Sequence, residues 1–112
     1  MICNMKKHAL ALPGNLDIFI IQNEEEDDGE VKGWQEILIH GDPEGLRSFA
    51  ALLIKLADTN QNDDVSLPIG AREHIHLRPR IELSNSSEPV IVGRLDAKGT
   101  GVFYDRYVPA NK

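Results

Sequence analysis

The chain has 112 residues, a formal net charge of −6, 41% hydrophobic and 27% charged residues, which suits one soluble globular domain with a single core. No stretch approaches the roughly 20 apolar residues that a membrane span needs. An acidic chain also repels phosphate backbones, so neither a membrane nor a nucleic acid is an expected partner.

The first residues, MICNMKKHALAL, place two lysines before a short apolar run that Pro13, Gly14 and Asn15 interrupt. The run is too short for a secretory signal. The single cysteine, Cys3, has no second thiol to pair with. Both features fit a reducing compartment, and a cytoplasmic location is expected.

Residues 16–21, LDIFII, are apolar and β-branched and read as a strand. Residues 24–30, EEEDDGE, hold six carboxylates in seven positions. This run reads as a solvated acidic loop over about 23–32, or as an electrostatic handle for a basic partner. Residues 34–40, WQEILIH, alternate, with Gln35, Ile37 and Ile39 on one face and Glu36, Leu38 and His40 on the other. They make a second strand, paired with the first in a hairpin.

A helix is expected from about Pro43 to Asp58. Asp42 can cap its free amides, Pro43 suits its first turn and Glu44 complements its positive end. Leu46, Phe49, Ala50, Leu53 and Leu56 or Ala57 recur at helical spacing as one apolar face. After a loop containing Asp63, Asp64, Pro68 and Gly70, a third strand is expected near 73–78 and a fourth at 90–95. The break between them is SNSSEP, and a short fifth strand, VFYDRY, follows DAKGTG. The expected architecture is α+β, with an antiparallel sheet of four to five strands in β-β-α-β-β order and one helix packed on one face.

Residues 73–79, EHIHLRP, carry the question of chemistry. Alternation puts His74 and His76 on one strand face with Cβ atoms about 7 Å apart, near enough to lean toward one metal ion. A metal needs three or four ligands, and His40, Glu82 and the aspartates 63 and 64 are the candidates for a third. Gly70, His74, His76 and Glu82 resemble a cupin motif, but the glycine lies too close to the first histidine and the glutamate too far from the second. No second cupin motif follows. The alternative is a polar outer strand face of His74, His76 and Arg78 over an inner face of Ile75 and Leu77. No serine nucleophile motif, phosphate loop or singled-out carboxylate pair is present, so no catalytic residue and no cofactor are expected.

The strand ending LIHG, the helix DPEGLRSFAALLIKLA, the strand HIHL, the turn ELS and the strand VIVGRLD follow in that order. Together they resemble the small α+β immunity proteins of bacterial polymorphic toxin systems, specifically the family numbered thirty-two. The resemblance spans about residues 34–96, and its most specific parts are Gly41, Glu44-Gly45-Leu46-Arg47 and His74-Ile75-His76-Leu77. It implies a non-enzymatic protein that binds a cognate toxin and blocks it. Many such toxins are basic nucleases, and many of their inhibitors are acidic. On this reading Glu24, Glu25, Glu26, Asp27, Asp28 and Glu30 steer the partner, and Trp34, His74, His76 and Arg78 supply contact area. Two other classes stay open: a small metal-binding or enzymatic domain using His74 and His76, and a homo-oligomeric structural protein, such as a homodimer, that buries its outer sheet face against a copy of itself.

Overall fold

A computed structural model of the chain describes residues 12–102. Strands β1 (Leu16–Asp27) and β2 (Glu30–Gly41) pair antiparallel along their whole length, with Leu16 opposite Gly41 and Asp27 opposite Glu30. Asp28 and Gly29 join them with φ of 51° and 83°. An Asp-Gly pair accepts these left-handed conformations, and a two-residue turn of this kind matches the twist of the strands it connects. The acidic run expected as a loop over 23–32 is therefore the end of one strand, a tight turn and the start of the next. Charge requires only that the side chains reach water. Paired strands standing clear of the core meet that requirement while satisfying the backbone.

Helix α1 (Pro43–Asp58) has the expected bounds. Asp42 Oδ1 accepts from the Gly45 amide at 2.7 Å and from the Asn15 amide at 3.0 Å, and Asp42 Oδ2 accepts from Asn15 Nδ2 at 2.7 Å. One carboxylate thus caps the helix and ties the approach to β1 onto it. The packing there is close: a Cβ at Gly45 would lie 2.0 Å from the Asn15 carbonyl oxygen. At the other end Arg94 Nη1 donates to the carbonyls of Leu56 (3.2 Å) and Thr59 (2.8 Å). Its Nε and Nη2 grip the two oxygens of Asp96, each at 2.8 Å. The cation meets carbonyls of the last turn and the C-cap, at the negative end of the helix dipole.

Strands β3 (His74–Leu77) and β4 (Val90–Gly93) form a second antiparallel pair, with Ile75 opposite Val92 and Leu77 opposite Val90. The core gathers Leu16 and Ile18 of β1, Leu56 of α1, Ile75 and Leu77 of β3, and Leu83, with Phe49, Leu52, Val90 and Val92 packed against it.

The described strands form two two-stranded sheets and not the single sheet of four to five strands that the sequence suggests. The reason lies in SNSSEP. Ser84 and Glu88 donate their amides to the carbonyls of Leu16 (2.9 Å) and Ile18 (2.7 Å), and the Ser87 hydroxyl accepts from the Ile18 amide at 3.0 Å. An irregular segment, stapled by a buried serine, takes the β1 edge where another strand would have paired. The expected fifth strand, VFYDRY, lies outside the described residues apart from Val102.

Candidate functional site

β1 has two halves. Leu16 and Ile18 are 1% and 5% exposed, yet Ile20, the next residue on that face, is 49% exposed. At about 3.4 Å per residue, the strand continues roughly 30 Å past Ile18. The described chain measures 57 × 34 × 24 Å, with a radius of gyration of 17.2 Å against about 13 Å for a compact domain of this length. The outer hairpin stands away from the body.

Its tip carries Glu24, Glu25, Glu26, Asp27, Asp28 and Glu30, all exposed. Lys32, opposite Glu25, is the one cation between residues 23 and 41, and Glu36 adds a seventh carboxylate. Trp34 sits across from Asn23. Its indole Nε1 donates to Glu36 Oε1 at 2.8 Å, and Asn23 Nδ2 donates to the same oxygen. The ring is thereby held at the hairpin surface, 42% exposed. This face also bears Phe19, Ile21 and Leu38, half-buried, and His40, whose ring meets Phe19 edge-on at 5.3 Å.

The opposite face carries Ile20 opposite Ile37 and Ile18 opposite Ile39. Ile37 and Ile39 are 68% and 49% exposed. That apolar row ends at Gly41, where a Cβ would lie 3.0 Å from Leu46 of α1. The helix buries Gly45 and Leu56, half-buries Phe49 and Leu52, and leaves Leu46 and Leu53 exposed. The expected helical face is thus split between the core and an open surface continuous with the hairpin.

His74 and His76 share the outer face of the second sheet, with ring centroids 5.0 Å apart in an edge-to-face arrangement. His74 Nδ1 lies 3.0 Å from the Arg72 carbonyl. Among the described residues no three His, Cys, Asp or Glu side chains come together as a metal would require. The third ligands suggested by the sequence are engaged elsewhere: His40 with Phe19, Glu82 with Arg78, Asp63 with Asn60 and Asp64 with Ser66.

Arg78 lies just past β3. Its Nη2 meets Glu82 Oε2 at 2.7 Å, while its Nε and amide meet Glu82 Oε1 at 3.0 and 2.9 Å. Burial alone would push the Glu82 carboxyl up, but these bonds hold it below the usual range. Glu73 behaves oppositely. Burial, then a hydrogen bond shared with Asp64, raises its pKa. Asp42 is held low by the Asn15 amide first, and Asp96 by the Arg94 guanidinium. All four belong to the packed base.

The structure therefore gathers the acidic residues and Trp34 on one hairpin and sets His74, His76 and Arg78 on the other sheet. Alternation in the sequence places Ile37 and Ile39 on one strand face but does not say what covers that face.

The chain is an α+β protein with a projecting hairpin that carries a dense run of carboxylates and part of the exposed apolar surface. Residues 36–95 match the family described as Immunity protein 32, which is more than half of the chain. The chain belongs to that family, as the resemblance implied. No curated protein and no solved structure matches it. Among the described residues no helix is long and apolar enough to cross a membrane.

Proposed function

We propose that this chain, acting as one cytoplasmic domain over residues 1–112, binds and neutralises a cognate bacterial toxin by direct protein contact and not by catalysis. Family membership supports the immunity role. The observation that carries the choice of surface is the hairpin, where six tip carboxylates and the indole of Trp34 stand clear of the core. Charge so placed speeds capture of a basic partner, and an oriented tryptophan supplies an anchor. His74 and His76 form a secondary contact face, with Arg78 at its end. No cofactor and no nucleic acid enters this reading.

The test is co-expression. The product of the adjoining gene, expressed alone, should arrest growth, and this chain should restore it and co-purify with that product. A chain with Glu24, Glu25, Glu26 and Glu30 changed to glutamine should restore growth poorly. Full arrest despite abundant folded chain would remove the immunity reading.

A further inference from the structure

The two strands of the hairpin differ in what borders them. A two-residue turn closes on a hydrogen-bonded pair, here Asp27 and Glu30, and such pairs then alternate along an antiparallel ladder. Even-numbered residues of β2 therefore turn their amides and carbonyls toward β1. Val31, Gly33, Gln35, Ile37 and Ile39 turn theirs away. The same alternation sends Leu16 and Ile18 of β1 outward, and both do bond across to the 84–88 segment. On β1 the outward groups near the core are thus covered. On β2, among the described residues, the outward groups from Val31 to Ile39 meet no partner. A long open edge bearing exposed isoleucines is a template for one more strand.

Charge selects the occupant. A second copy would bring the same seven carboxylates and one lysine to the edge, so like would face like near the tip. A strand carrying arginine or lysine on one face would instead meet Glu30 and Glu36 of β2, while apolar residues on its other face continue the row of Ile37 and Ile39. The carboxylates thus discourage self-pairing and favour an unlike partner.

We infer that the outer edge of β2, from Val31 to Ile39, binds an extended basic segment of a partner protein as an added strand, with basic side chains beside the acidic tip and apolar ones beside Ile37 and Ile39. That the segment belongs to a toxin rests on the function proposed above; that this edge accepts such a strand does not.

Amide exchange on the isotope-labelled full chain tests this. The probe is a synthetic decapeptide of alternating arginine and valine, with an alternating glutamate and valine peptide as control. In the free chain the amides of Gly33, Gln35, Ile37 and Ile39 should exchange at least about ten-fold faster than those of Trp34, Glu36 and Leu38. The basic peptide should slow only the outward set, by about ten-fold or more, and the acidic peptide should not. Gln35→Pro removes one outward donor at an edge position that tolerates proline, so it should weaken peptide binding about ten-fold, whereas Gln35→Thr should not. Outward amides already protected in the free chain would mean that the edge is covered, by a second copy if protection rises with concentration and otherwise by another part of this chain. That result, absence of binding, or equal protection of both sets overturns the inference. Growth rescue by Gln35→Pro as strong as by the parent chain would sever the edge from toxin neutralisation while leaving the immunity role intact. Peptide binding without growth rescue would do the reverse.

Discussion

The base and the outer hairpin of this molecule follow different rules within one continuous strand. Up to Ile18, β1 is bordered by the 84–88 segment and faces the aliphatic core. From Ile20 onward its side chains meet water, and no element beyond β2 is paired with it among the described residues. An isolated two-stranded hairpin is marginal in water. This one is anchored at its root by Leu16 and Ile18 and closed at its tip by Asp28-Gly29. Stability resides in the base, and the hairpin is free to be specialised for contact.

The largest test of that division is a cavity. Leu77 is fully buried, so Leu77→Ala should cost about 3 kcal/mol in a denaturant titration. Ile37→Thr, on the hairpin, should cost less than about 0.5 kcal/mol, as surface substitutions do. Comparable losses at the two positions would erase the distinction.

Ion pairs in the base come next. Arg78→Ala leaves the Glu82 carboxylate, whose side chain is 0% exposed, without its cation. A loss of stability is expected, smaller than that of Leu77→Ala because the guanidinium is itself partly exposed. Arg94→Ala removes a helix cap and the partner of the partly exposed Asp96, and about 2 kcal/mol is expected. The corresponding Lys32→Ala change on the hairpin should be nearly neutral.

Acidity gives a smaller contrast, again confined to the base. Glu82, Asp42 and Asp96 have depressed pKa values in the folded chain. Their stabilising contribution is present above the ordinary unfolded values and is lost as pH falls through the folded ones. Glu73 is raised, so its contribution is present below the unfolded value of 4.5 and is lost as pH rises through the folded one. Glu73→Gln should therefore stabilise the chain at pH 7 and have little effect near pH 4, as read by urea midpoints at the two pH values. A destabilising effect at pH 7 would show that the ionised carboxylate is needed.

Much of the base was legible from residue type. Asp42, Pro43 and the spacing of Phe49 and Leu56 marked the helix, and alternation separated His74 and His76 from Ile75 and Leu77. What a linear pattern could not supply was the neighbour across each edge. Nothing in SNSSEP announced that Ser87 would bond β1 and split the expected sheet. On the hairpin, Asp28-Gly29 is a turn signal set inside a run of charge that equally suits a loop. The acidic residues and Trp34 were identified as contact candidates from charge and size alone. Their alignment on paired strands, and the outward amides beside them, depend on register.

The smallest expected effect concerns metal. Chelator treatment should leave the urea midpoint unchanged, and His74→Ala/His76→Ala should leave metal content unchanged. A stoichiometric metal lost in that variant would instead place chemistry on the second sheet.

The central claim is that the hairpin makes the contact and the base makes the fold. Its most direct test is the association rate with the proposed toxin partner, at low and high salt, alongside folding stability. With Glu24, Glu25, Glu26 and Glu30 changed to glutamine, the rate at low salt should fall about ten-fold or more and lose most of its salt dependence, while the urea midpoint stays put. An unchanged rate in a folded variant, with the loss appearing instead in His74→Ala/His76→Ala, would contradict the account and move the contact to the other sheet.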